Sequence, residues 1–247
     1  IIIFESSDVA VKNNKIVNTY WGIMLGYSSN VIVEGNVIVN SEFGFGLVGY
    51  TYFTLPSSNN LISANTLVNC SVGLGLVYAE NNTFYHNNFI GHMNHTISES
   101  SGNLWDNGVE GNYWSDYEGT DPNHNGIGDT PYVIDANNTD NYPLMGMFSS
   151  FNTSLGKYVN VVSNSTIEEF RYFESNSTIR MYISGEEGFG FCRVSIPHVL
   201  MNVNNISVII DDGLTPVLHE NYALYDNGTY RWIYFAYEYS THKIDII

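Results

Sequence analysis

Positive charge is what this chain has least of. Its 247 residues include 8 lysines and arginines against 25 aspartates and glutamates, a net charge of −17, although charged residues make up only 13%. That balance argues against nucleic acid and against anionic membrane surfaces as partners. Cysteine is almost as scarce. Cys70 and Cys192 stand far apart and in no metal-ligand spacing, so no disulfide framework is expected and both read as small buried side chains. No apolar run reaches the length of about 18 residues that a spanning segment needs, so no membrane insertion is expected within the chain. Runs with helical period are missing too. The chain opens at Ile1 in strand-like text, without an initiating methionine or signal peptide. It is expected to be part of a longer exported protein whose signal and anchor lie elsewhere. Nine Asn-x-Ser/Thr sequons and the low lysine content lean the same way, toward an extracellular, cell-surface location.

What the chain does have is a repeat. Residues 6–25, 28–47 and 57–76 are versions of one sentence, and a fourth copy begins at Asn81 and fades after Gly91. Counted from its first column (Asp8, Asn30, Asn59, Asn81), the step is 22 residues, then 29, then 22. Three positions on stand Val11, Val33, Ile62 and Phe84; eight positions on, Ile16, Ile38, Leu67 and Phe89. Short β-branched runs broken by Asn, Ser and Gly read as strands and turns. Each copy is too small to bury its own apolar face, so stacked copies sharing one core are expected: a right-handed parallel β-helix with coils of about 22 residues. Two asparagine columns support it, Asn14–Asn36–Asn65–Asn87 and Asn18–Asn40–Asn69. An amide donates and accepts, so identical residues one coil apart can form a hydrogen-bonded ladder. The glycine column Gly22, Gly44 and Gly73 reads as a sharp bend.

The 29-residue step comes from an insertion near residues 49–56. Insertions in repeats map to loops on one face, often the binding face. Its aromatics Tyr50, Tyr52 and Phe53 are candidates for stacking on sugar rings. Over residues 103–145 the repeat stops and aromatics and carboxylates crowd in, which reads as a cap over the open end of the coils. The first domain is therefore placed at 1–148. From about Ser154 to the end, strand-like segments with alternating faces and NG or DDG turns suggest a small antiparallel β-sandwich over 154–247. The joint between the two is expected near Phe148–Ser154.

Within the cap, Asp121, Asn123, Asn125, Ile127 and Asp129 match the first half of a calcium loop, with Gly126 at its turn. The closing glutamate is absent, so Asp116, Asp135 or Asp140 would have to complete the set. A structural calcium ion is the expected cofactor. A lyase of acidic polysaccharides needs a strong base, and the coils hold only Lys12 and Lys15. A hydrolase needs paired carboxylates on one face, and the column of Lys12, Glu34 and Ser63 provides none.

The repeat, carried by Val33, Asn36, Ile38, Asn40 and their equivalents, resembles that of NosD-like parallel β-helix proteins, grouped with carbohydrate-binding proteins and sugar hydrolases. The run Trp105-Asp106-Asn107-Gly108, then Gly111 to Tyr117, then Gly126 to Tyr132, ending Tyr142-Pro143-Leu144, is similar to the closing segment of such proteins, above all archaeal surface ones. The C-terminal part, with Gly190 to Pro197 and Ser240 to Ile244, is similar to a β-module that precedes their membrane anchor. With no base or carboxylate pair in the coils, the chain is expected to be a non-catalytic extracellular module for recognition or scaffolding, with a glycan or another cell-surface protein as partner. A polysaccharide-processing enzyme with part of its site in upstream coils is the first alternative. The second is the copper delivery to a periplasmic reductase that the family name implies. Copper needs clustered His, Met or Cys. Only His92-Met93-Asn94-His95 comes near, and it reads as a solvated loop, so copper is not expected.

Overall fold

The computed structural model describes residues 1–49, 55–185, 188–201, 206–211, 215–216, 222–238 and 241–247. It divides into two compact units, Ile1–Thr120 with Gly128–Leu144, and Asp121–Ile127 with Met145–Ile247. Helix is nearly absent among the described residues, and none is long and apolar enough to cross a membrane.

The first unit is a parallel β-solenoid. One sheet stacks Ile2–Phe4, Trp21–Gly26, Phe43–Val48, Val72–Val77 and Asn94–Ser98. A second stacks Lys15–Val17, Val37–Val39, Thr66–Val68, Asn88–Ile90 and Tyr113–Trp114. A third stacks Ala10–Lys12, Ile32–Glu34, Leu61–Ser63 and Thr83–Tyr85. The registers are the columns of the sequence: Val11, Val33, Ile62 and Phe84 lie one above another, as do Ile16, Ile38, Leu67, Phe89 and Trp114. Most of these side chains point into one continuous core.

Asparagine holds the coils in register. Asn36 Oδ1 accepts from both the backbone N and Nδ2 of Asn14, at 3.0 and 2.9 Å. Asn65 does the same for Asn36, Asn87 for Asn65, and Asn112 for Asn87. Each buried amide also donates to carbonyls of its surroundings, for Asn65 those of Val33 and Ser63. A second ladder runs Asn60–Asn82–Asn103. The sequence hides it because the first two copies carry Val9 and Val31 at that position.

The column Asn18–Asn40–Asn69 does a different job from the ladder expected of it. These residues are exposed and take left-handed backbone, with φ of 58°, 54° and 51°. So does the starting column Asp8, Asn30, Asn59 and Asn81. Asparagine is one of the few L-residues that enters this region at low cost, so these columns turn the coil's corners. The glycine column is corrected as well. Gly22, Gly44 and Gly73 lie inside strands, not at bends. A Cβ at Gly44 would run into the carbonyl of Gly73 and the side chain of Leu67, so glycine is needed for close approach between coils.

The segment expected only to cap the solenoid also extends it. Leu104 bridges to Thr83, Tyr113–Trp114 joins the second sheet, and Leu144 bridges to Tyr113. Trp105 stacks on Phe84, and Trp114 lies between Phe89 and Tyr132, with ring centres 4.4 and 4.5 Å away. The indole N–H groups donate to Asn138 and Asp140, on the antiparallel pair Tyr132–Asp135 and Asn138–Asp140. Asp140 also ends the asparagine ladder, because its Oδ2 accepts Asn112 N at 2.7 Å. It is fully buried. Burial pushes its carboxyl up to about 6, against the pull of hydrogen bonds from Trp114, Asn112 and Tyr142.

The second unit holds two five-stranded antiparallel sheets. One is ordered Met147–Asn152, Tyr158–Ser163, Phe189–Pro197, Tyr230–Glu238, Tyr222–Asp226; the other Thr166–Phe173, Thr178–Ser184, His242–Ile246, Val208–Ile210, Thr215–Pro216. Both contribute to a common core that includes Val161, Met181, Ile183, Cys192, Phe235 and Ile244. Residues 148–154, read from sequence as a joint, are largely strand here, since Met147–Asn152 pairs with Tyr158–Ser163.

Truncating one rung tests the ladder. Asn65→Ala strips the acceptor from two donors of Asn36 and is expected to lower unfolding free energy by about 1–3 kcal/mol in urea denaturation. Asp140 gives a pH test. Its folded pKa lies above the ordinary 3.8, so its contribution is fully present below that value and is lost as pH rises through about 6. Between pH 7 and pH 4, wild type should gain about 2–3 kcal/mol relative to Asp140→Asn, which carries no titrating group there.

Candidate functional site

The outer face of the first sheet carries an aromatic platform built by the repeat. Trp21 and Phe43 occupy equivalent positions in successive coils and pair in the sheet. Their rings stack with centres 4.3 Å apart and planes 22° from parallel. Tyr20 packs edge-on against both and is 65% exposed. The platform lies flat because Trp21 rests on Gly46, where a Cβ would meet the indole, and Phe43 lies over Gly75. Sequence reading missed these residues. The available signal was an aromatic at one outward column (Trp21, Phe43) combined with glycine three positions later in the following copy (Gly46, Gly75).

Beside the insertion lies a groove of about 380 Å³. Leu55 and Pro56, at the described end of the insertion, line it together with Glu5, Tyr27, Ser29 and Ser58. Phe4 packs edge-on against Tyr27. The expected stacking residues Tyr50, Tyr52 and Phe53 lie outside the described residues.

The calcium candidates fall in two units. Asp121, Asn123, Asn125 and Ile127 belong to the C-terminal unit, Asp129 to the coils. Asp121 accepts from Asn125 N at 3.0 Å and Gly126 N at 2.7 Å, and Asn125 Oδ1 accepts from Ile127 N. Gly126 turns the chain with φ of +74°. The suggested completing carboxylates are engaged locally: Asp116 by Tyr132, Asp135 by Asn137 and Asn138, Asp140 by the ladder. No three His, Cys, Asp or Glu side chains converge as a metal-holding group among the described residues.

The reading of residues 92–95 as a solvated loop is corrected. Met93 is 83% exposed, but both histidines turn inward to a pocket of about 300 Å³ that Thr96, Asp116 and Tyr132 also line. His92 continues the column Thr19, Ser41, Cys70. As Ser41 Oγ accepts from Thr19 N, so His92 Nδ1 accepts from Cys70 N, at 3.0 Å. His95 continues the glycine column on the last strand of the first sheet, Asn94–Ser98, and its Nε2 lies 3.2 Å from Asp116 Oδ1. Asp116 accepts in turn from Tyr132 Oη. Burial holds the His92 imidazole down at about 4, reinforced by the neighbouring His95; burial lowers His95 too, against the pull of Asp116. Both rings are thus neutral at pH 7. His92 Nε2, His95 Nδ1 and Thr96 Oγ1 are buried without hydrogen-bond partners.

Residues 1–119 match a family model described as "Periplasmic copper-binding protein (NosD)". The match covers just under half of the chain, the coils and the first part of the segment that closes them. No curated protein matches the chain.

The unpaired hydroxyl offers a direct test of the pocket. In metal-free buffer Thr96→Val keeps the shape and removes a buried orphan, and is expected to raise unfolding free energy by about 1 kcal/mol. Thermal and urea melts would check it.

Proposed function

We propose that this chain is a non-catalytic recognition module of an exported protein, a β-solenoid that presents its outer face to glycans at a cell surface. The platform of Tyr20, Trp21 and Phe43 carries the reading. Sugar rings offer an apolar C–H face that stacks on flat aromatic surface, and an aromatic cluster partly open to solvent retains that capacity. The groove of Glu5, Tyr27, Ser29 and Ser58 adds hydroxyl and carboxylate partners for sugar hydroxyls. A binding role is favoured over turnover because the charged column of the coils is spent on an ion pair, Lys12 with Glu34 at 2.6 Å. Calcium at the Asp121 loop belongs to the same proposal as a structural ion, to be sought by melting with calcium against chelator.

Copper, carried by the description of the matched family, is a second reading with its own observation. Imidazole is a suitable copper donor, and the two neutral rings of His92 and His95, each with a buried unpaired nitrogen, would hold the ion. Bound there, it would supply a Lewis-acidic centre.

A glycan array followed by calorimetry tests the first reading. Tyr20→Ala, an exposed change that should leave melting intact, and Trp21→Ala are expected to weaken binding at least about tenfold, the loss of roughly 1.4 kcal/mol. Absence of any glycan ligand would leave a scaffold. Release of reducing ends or unsaturated products would make the protein an enzyme.

A further inference from the structure

Three buried side-chain atoms without partners are found among the described residues, and the residues that carry them, His92, His95 and Thr96, all line one pocket. Buried polar atoms are rarely left unpaired, so three at one place call for a ligand. Two are imidazole nitrogens, His92 Nε2 and His95 Nδ1. We infer that this pocket binds one late first-row transition-metal ion through His92 Nε2 and His95 Nδ1, with Asp116 as a positioning residue behind His95.

The geometry around each ring fits that role. His95 Nε2 lies 3.2 Å from the Asp116 carboxylate, an arrangement that favours the proton on Nε2 and the lone pair on Nδ1. A carboxylate behind the far nitrogen is the usual support of a metal-bound histidine. Tyr132 Oη, at 3.0 and 3.1 Å from the two carboxylate oxygens, fixes Asp116 in turn. His92 Nδ1 lies 3.3 Å from the carbonyl of Cys70 as well as 3.0 Å from its N–H. Ligation through Nε2 uses the tautomer that carries its proton on Nδ1 and donates it to that carbonyl, in exchange for the one whose Nδ1 accepts from Cys70 N–H. The ring centres are 5.3 Å apart and the planes 78° from parallel. Two imidazoles bound at about 2.0 Å to one tetrahedral ion would have their centres roughly 5 Å apart.

The donor set also selects the metal. Two nitrogens and no converging trio of side chains disfavour calcium and magnesium, which need several oxygens. They suit ions for which imidazole is a preferred ligand, with Cu²⁺ ahead of Ni²⁺ and Zn²⁺. The placement departs from the repeat: glycine fills the His95 column in three earlier coils, where a Cβ would strike the coil that follows. His95 stands on the last strand of that sheet, so the side chain has room. The inference deepens the copper reading and does not depend on glycan binding.

The test is calorimetric titration of the chelator-treated full chain with Cu²⁺, Zn²⁺ and Ca²⁺, with electron paramagnetic resonance of the Cu²⁺ form. One equivalent of Cu²⁺ with coupling to two nitrogens, weaker Zn²⁺ and no Ca²⁺ uptake at this site are expected. H95Q and H92Q should each lower Cu²⁺ affinity at least about tenfold, and D116N by about 10–100-fold. M93L should change nothing. H92Q also loses a contact to Cys70, so folding is checked by melting, and H95Q with D116N carries the decision if H92Q melts early. Cu²⁺ affinity and spectrum unchanged in H95Q would place the ion at other histidines and overturn the site. Zn²⁺ bound as tightly as Cu²⁺, and lost in H95Q, would keep the site and sink the copper reading. Y20A, which tests glycan binding, should leave every metal result unchanged.

Discussion

Every coil is tied to its neighbour by a carboxamide that has both donors and acceptors to spend. Asn36, Asn65, Asn87 and Asn112 each accept twice from the coil before and donate to the coil after. No apolar side chain can do this. A valine stack buries area but tolerates slippage along the sheet, whereas an amide between amides is satisfied in one register only. The buried polar column therefore fixes which residues become neighbours, including the aromatic pair on the outer face and the two histidines of the fourth coil. In a low-dielectric interior its bonds reinforce one another, and a single missing rung leaves two donors stranded.

The corners follow from the same constraint. Strands of about three residues between ladders need tight turns, and these are made by single residues in the left-handed region. Where asparagine or glycine stands there the turn is nearly free. Tyr27, Ala64, Tyr78 and His86 also adopt positive φ, and for these the stacking of the coils must outweigh local strain. The cap obeys the ladder too. Trp105, Trp114 and Tyr132 close the apolar core with stacked rings, while Asn103 and Asn112 continue the amide columns into it.

Much of the coil architecture was legible because identical positions in a repeat see identical surroundings. Val33 and Asn36 are informative only beside Val11, Ile62, Asn14 and Asn65. Where the copies differ, legibility fails. The ladder of Asn60, Asn82 and Asn103 was hidden by Val9 and Val31. Asn18, Asn40 and Asn69 recur as regularly as true rungs, and sequence does not distinguish an amide bonded to its neighbour from one that serves its own backbone turn. Glycine was equally ambiguous: Gly44 marks close approach, not a bend. The candidate sites were less legible still. Trp21 and Phe43 sit within apolar text and look like core, and only the three-dimensional face separates them from Ile23 and Phe45. His92 and His95 looked solvated because the residues around them are polar, yet their columns lead inward.

Asp140 gives the solenoid a fixed polarity. All rungs of the ladder beginning at Asn14 donate toward the C-terminal side, and the carboxylate that receives the last of them has nothing to hand on. A duplicated coil inserted anywhere before Asn112 would meet a donor on one side and an acceptor on the other, and would extend the column without new chemistry. A coil added beyond Asp140 would find only an acceptor that is already occupied. Changes in coil number are therefore open upstream of the aromatic plug and closed at it, so descendants of such a chain can vary in length while keeping the same terminal plug.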